Sequence, residues 1–246
     1  MPKFFFDLHS LEGARIEIDG ETAHHIVNVL RHRVGDRVLL CDGKRMDYVT
    51  ELISYETGRK STKAWFEVQE TKKSPAEPRV YVRLHQSVIN WENFEIAIQK
   101  SVEVGVSEIV PMITERTVHK LHDVKKKLDR FGRIAKSAAE QSMRGIVPTV
   151  QEPAYLLDTI KNKEAVGYFA CCSKKEILEC RHEDLMHKKI DLWVGPEGGF
   201  TDSEKKSMLA QNIVPVGLGP RVLRSETASI VLISHIVMSH ERWFFG

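Results

Sequence analysis

Two stretches of this 246-residue chain concentrate residues able to do chemistry, Val194–Phe200 and Leu218–Ala228. The first holds Gly195, Pro196, Glu197, Gly198 and Gly199 behind Val194; the second holds Gly219, Arg221, Leu223, Arg224 and Glu226 behind Leu218. Glycine permits positive φ and lets a backbone come close to a flat ligand such as adenine. One such loop reads equally well as a tight strand-to-helix turn; two of them favour a pocket. Neither matches a known phosphate cradle. The dinucleotide and Walker glycine patterns are absent, which disfavours a dinucleotide or a nucleoside triphosphate. The esterase nucleophile elbow is absent too. Arg221, Arg224 and Glu226 fall within six residues, either as an ion-pair network or as a grip on a phosphate or polar heterocycle. Spacing alone thus gives a site for something flat and something anionic.

Metal chemistry has no support. The cysteines are Cys41, Cys171, Cys172 and Cys180, with no two at the C-x-x-C spacing. His119 and His122 are the only histidines at a close helical spacing, and no carboxylate or thiol completes a ligand set around them. Reduced, structural thiols and no metal are expected.

The elements that must position these loops follow from the hydropathy pattern. Hydrophobic residues make up 42% and charged residues 28% of the chain, a globular composition that excludes disorder throughout and a disulfide scaffold. No run approaches the apolar length of a membrane span, and the N-terminal apolar run ends at Asp7, too soon for a signal peptide, so a cytoplasmic protein is expected. The polar stretch Glu70–Pro78 reads as a linker between a domain over 1–73 and another over 74–246. Before it lie short β-type runs at Phe4–Phe6, Ile16–Ile18, Arg37–Cys41, Tyr48–Ile53 and Ala64–Val68. A hairpin signal at Asp42-Gly43 and one helix through Ala23, Ile26, Val27 and Leu30 complete them. A small β-barrel with one helix is expected.

After the linker, strands at Val80–Leu84, Val106–Ile113, Val166–Cys171, Ile190–Val194 and Ile213–Leu218 alternate with helices, the pattern of an α/β domain with a mostly parallel sheet. Phe94, Ile98 and Val102 stripe one helix, closed by Gly105; Asp123 is placed to cap a long one with Val124, Leu128, Phe131, Ala135 and Ala138 inward. Thr201 and Glu204 form a capping box. Ile230–Val237 is apolar enough that its helix must be largely buried or must pack on a second chain. In such a sheet, ligands bind beyond the carboxyl ends of the strands, where both glycine loops fall.

Net charge is only +2, but Arg116–Arg144 holds nine basic and three acidic residues. That excess suits a phosphate backbone, and equally a solvated helix face.

The two loops, together with Gln99–Val106, Thr114–Thr117, Ala139–Arg144 and Val29–Asp36, resemble the RsmE family, the 16S ribosomal RNA uridine-N3 methyltransferases of the SPOUT superfamily. The resemblance runs over nearly the whole chain. It implies a PUA-like RNA-binding barrel at the N-terminus, a SPOUT α/β domain tied in a trefoil knot, and a homodimer. It further implies S-adenosylmethionine as cofactor and 16S ribosomal RNA, or the small ribosomal subunit, as partner. Carried over by residue, Val194, Gly195, Pro196, Gly198, Gly199, Leu218, Gly219 and Leu223 would hold the cofactor, with the segment after 166–171 beside them. Lys3, Arg31, Arg33, Arg116 and Arg144 would meet RNA. Arg224, Arg221 and Glu197 would carry catalysis. The family usually has an arginine where this chain has Lys3, and a lysine before the Phe94 helix where this chain has Trp91 in a loop without basic residues. RNA contact from that loop would then be weaker, or would use stacking on Trp91 instead.

Methylation at uracil N3 requires loss of a proton or stabilisation of the imide anion. Arg224, then Arg221, suit the anion; Glu197, Glu226 or water could accept the proton, and Glu197 could equally just bond its own loop. Two competing functions are a non-catalytic RNA-binding assembly factor that kept the fold and a metabolic α/β enzyme for a free nucleotide. The first predicts eroded loops; the second leaves the barrel and the basic stretch unexplained.

Overall fold

The structure is a computed structural model that describes residues 1–58, 61–172 and 189–245. Cys180 lies outside the described residues, as does the segment beyond Cys172 expected beside the pocket. The chain divides into two compact units, residues 1–77 with 139–147, and residues 78–138 with 148–246.

The first unit is a six-stranded sheet in the order β1-β4-β5-β6-β3-β2. Its strands are β1 (Lys3–Phe5), β2 (Leu11–Glu12), β3 (Arg15–Asp19), β4 (Arg37–Cys41), β5 (Met46–Thr57) and β6 (Thr62–Lys73). All neighbours are antiparallel except β1 with β4. The β4–β5 turn is held by Asp42, whose Oδ1 accepts from the amides of Lys44 at 2.7 Å and Met46 at 3.0 Å. Ile16, Ile26, Val38, Leu40, Leu52 and Phe66 are fully buried between the sheet and the helical stretch beginning at α1 (Gly20–His24).

Two sequence expectations change here. Glu70–Lys73 is not linker but the end of β6, paired with Met46–Val49. Its polar side chains face solvent while its backbone completes the ladder, and composition registers only the former. Residues 139–147 also join this unit, far in sequence from the rest of it.

The second unit carries a parallel sheet in the order β10-β8-β7-β12-β11-β13, with β9 beside β8. The strands are β7 (Tyr81–Ser87), β8 (Glu108–Ile113), β9 (Thr149–Val150), β10 (Ala154–Tyr155), β11 (Val166–Cys171), β12 (Lys189–Val194) and β13 (Ile213–Gly217). Helix α2 (Trp91–Glu103) packs on α7 (Ser225–Phe245), and α7 packs on β7 and β12. Trp193, Phe169 and Met112 pack with residues of α5 (Leu156–Lys161) and α6 (Asp202–Ala210). The Thr201–Glu204 capping box forms as expected: the Thr201 hydroxyl accepts from the Glu204 amide, and Glu204 Oε2 accepts from the Thr201 amide at 2.8 Å.

The long helix expected after Asp123 is broken into α3 (Leu121–Lys125) and α4 (Leu128–Gln141), and Asp123 lies inside α3 rather than capping it. The chain turns at Lys126-Lys127, where the Lys127 ammonium sits 4.8 Å from the centre of the Trp91 ring. The apolarity of α7 is satisfied largely within this chain, since Leu232, Ile233, Ile236 and Val237 are all buried. Among the described residues no helix is long and apolar enough to cross a membrane, and none form a metal-binding cluster.

Candidate functional site

Strands β12, β11 and β13 lie side by side and end at Val194, Cys171 and Gly217. Their carboxyl ends enclose a cavity of about 360 Å³, within the range of small-molecule sites. It is lined by Ala170–Cys172, Val194–Phe200, Leu218, Arg221–Ser225 and Ala228. The glycines do different work. A Cβ on Gly195 would stand 3.3 Å from the Phe200 ring and backbone nitrogen, a tight fit against the closing end of the loop. Gly199 adopts φ +67° in open space, so its requirement is conformational. Its amide donates to the Pro196 carbonyl at 2.8 Å, which closes the turn.

The two loops are locked together by α7 and β7. Ser225, the first residue of α7, donates its hydroxyl to the Gly195 carbonyl at 2.6 Å. Gln86 Nε2 in turn donates to Ser225 Oγ at 2.9 Å, and Ser229 Oγ donates to Gln86 Oε1. All three side chains are buried. Gln86 is beside Val194 in the β7–β12 register, so the same strand pair that delivers the first loop also delivers the residue that fixes the second. Sequence reading missed Gln86, Ser225 and Ser229. The position of Ser225, directly after Arg224 and before an apolar helix, was a signal available for it.

Of the expected cofactor residues, Val194, Gly195, Pro196, Gly198, Gly199, Leu218 and Leu223 line the cavity. Gly219 does not; it turns the chain at φ +97°. Glu197, Arg221 and Arg224 also line it, all three exposed at its rim, and Glu226 is buried in the first turn of α7. Arg116 is exposed and donates to the Gly198 carbonyl, which ties it to the first loop.

The other expected RNA contacts divide. Arg31 and Arg33 are exposed in the first unit. Lys3 and Arg144 are buried and already paired. Lys3 is 2% exposed, 2.7 Å from Asp47 and hydrogen-bonded to Ser74 and the Met143 carbonyl. Arg144 is 2% exposed and pairs with Glu77 at 2.9 Å; Glu77 Oε1 also accepts from the Gly145 and Ile146 amides. Both cations are spent holding residues 139–147 in the first unit. Trp91 is likewise engaged, stacked on His119 with ring centres 3.9 Å apart.

A parallel sheet with a glycine-built cavity at its carboxyl edge, accompanied by a small β unit, defines an α/β protein with a small-molecule site. A family model described as the RNA methyltransferase domain matches residues 76–237, and one described as the RNA methyltransferase PUA domain matches 18–54. The chain is 33% identical to the ribosomal RNA small subunit methyltransferase E of Bacillus subtilis, over 96% of each chain. It is 28% identical to that of Mycobacterium tuberculosis, over 98% of this chain and 92% of the other. Among solved structures, the ribosomal RNA small subunit methyltransferase E of Neisseria gonorrhoeae bound to S-adenosylmethionine superposes with a TM-score of 0.83 at 27% identity, covering 97% and 98% of the two chains. The chain belongs to the RsmE family.

Proposed function

We propose that this chain methylates N3 of a uridine in the 16S RNA of the small ribosomal subunit, using S-adenosylmethionine. The carrying observation is the cavity, built from the two loops by which the chain resembles that family and found in a protein whose relatives are named ribosomal RNA small subunit methyltransferase E. The residues fit the cofactor. Val194, Leu218, Leu223 and Ala228 offer apolar contact to a flat purine, and the Gly195–Gly199 backbone is held open for close approach.

When bound, S-adenosylmethionine supplies an electrophilic methyl group. The protein's part is to position the uracil edge and to favour the imide anion. Arg224 and Arg221, on the rim of the cavity, are the cations placed to face that charge, and a fixed donor aimed at developing charge outweighs one that must reorganise. Glu197 is exposed at the cavity, where solvent water is equally at hand to accept the proton.

The same reading takes the second unit as a SPOUT domain tied in a trefoil knot and the first as a PUA-like RNA-binding barrel. It takes the enzyme as a cytoplasmic homodimer. Val231 and Met238, seven residues apart on α7 and 39% and 49% exposed, support a partner on that side of the helix. The intact cavity argues against an assembly factor that only binds RNA.

Calorimetry with S-adenosylmethionine, ATP and NAD in parallel tests the cofactor. Binding of S-adenosylmethionine alone is the expected outcome, and a preference for either nucleotide would overturn the reading.

A further inference from the structure

The cofactor cavity shares a wall with a second cavity of about 610 Å³. Six residues face both, Ala170–Cys172 and Gly198–Phe200. The second cavity is completed by Phe169, Pro215, Arg116, and by Lys205 and Leu209 from α6. Among the described residues, its lining includes two cations and no carboxylate. Arg116 spends one nitrogen on the Gly198 carbonyl, and a guanidinium carries five N–H donors. Lys205 has Asp202 at 3.4 Å, but that pair is solvent-exposed and holds the ammonium weakly. Leu209 is 50% exposed at the rim, and Phe169 and Phe200 are buried behind it.

Direct transfer of a group between two bound molecules demands two sites with a common edge, because the reacting atoms must come within about 3–3.5 Å. Six lining residues in common place the two cavities next to one another, the arrangement from which such an approach can be made. Apolar and aromatic side chains take the face of a flat base, and cations at the mouth take its phosphate. We infer that this second cavity receives the acceptor nucleotide of the RNA, with Lys205 and Arg116 gripping its phosphate and Leu209 walling the base. The inference rests on the methylation reading and adds a phosphate contact, Lys205, and a steric one, Leu209, to it.

The test uses Lys205→Ala and Leu209→Trp in the full chain, with S-adenosylmethionine and a transcript of small-subunit ribosomal RNA as probes. Both variants should bind S-adenosylmethionine as the wild type does. Lys205→Ala should weaken RNA binding several-fold and reduce the slope of log affinity against log salt by about 0.7, the loss of one single-strand phosphate contact. Leu209→Trp should weaken RNA binding with the wild-type salt slope, since it blocks space rather than removing charge. Unchanged RNA affinity and slope in both variants would overturn the inference. So would a tenfold loss of S-adenosylmethionine affinity in either, which would assign the cavity to the cofactor. Methyl transfer by the wild type tests the methylation reading separately, since the variants are scored on RNA affinity.

Discussion

The hydroxyl of Ser225 reaches the carbonyl of Gly195 at 2.6 Å, joining two loops thirty residues apart, both of which line the cavity at the ends of β11, β12 and β13. Both ends of this bond are buried, and Gln86 completes it from β7. Ser225→Ala leaves the Gly195 carbonyl without this donor and takes one of two acceptors from Gln86 Nε2, which keeps the Ser87 carbonyl, a cost of about 1–3 kcal/mol. S-adenosylmethionine affinity should fall about tenfold or more as the loops lose their register, while Ser225→Thr retains part of it. Calorimetry on the two variants checks this.

The buried cations of the first unit make a prediction of the opposite kind. Lys3→Met leaves Asp47 buried without its partner, and Arg144→Met does the same to Glu77. Removing one member of a buried pair costs about 3–5 kcal/mol. Urea midpoints should drop for both variants. Wild-type stability with weakened RNA binding would return these residues to an RNA-contact role.

His85 supplies a pH dependence. It is 3% exposed, stacked on Trp193 at 4.5 Å and 3.9 Å from Asp191. Burial holds its pKa below the ordinary 6.5 against the opposing pull of Asp191. The unfolded chain therefore takes up a proton more readily than the folded one. The stability from neutral His85 is complete above pH 6.5 and is lost as pH falls through the lowered folded value. His85→Phe keeps the stacking and should flatten the decline in stability on acidification, read as urea midpoints between about pH 7.5 and about pH 5. Parallel profiles for the two proteins would contradict it.

Much of this was legible in the sequence. Short β-type runs in the first unit became β3, β4 and β5, and the glycine loops fell at strand ends, where a parallel sheet leaves its ligand site. Side-chain chemistry also gave the capping box at Thr201. What sequence could not carry was partnership. Lys3 and Arg144 have the residue types of phosphate contacts, and only the fold shows that Asp47 and Glu77, distant in sequence, have claimed them. Glu70–Lys73 looks like linker because polarity is a side-chain property, whereas its place in β6 is set by backbone pairing. Much of the apolar surface of α7 is covered by α2, β7 and β12. Substituting Ile236, 1% exposed, would therefore damage the fold rather than test a dimer.

Arg224 separates catalysis from affinity. It lines the cavity yet is exposed, so its removal leaves no buried partner stranded. Arg224→Ala should bind S-adenosylmethionine and RNA but transfer methyl ~100- to 1000-fold more slowly at saturation. Arg224→Lys should recover only part of the rate, since a point charge does not replace a planar fork. A shift only in the RNA concentration required would make Arg224 a binding residue.

The most direct test of the whole account is the position of the transferred methyl. The protein is incubated with isotopically labelled S-adenosylmethionine and unmodified small ribosomal subunits or their RNA, and the label is mapped by mass spectrometry of the nucleosides. The account predicts label in N3-methyluridine at a single site of the 16S RNA, with none in ribose or in other bases. Label on a ribose or another base, or no transfer by a protein that binds both ligands, would contradict it.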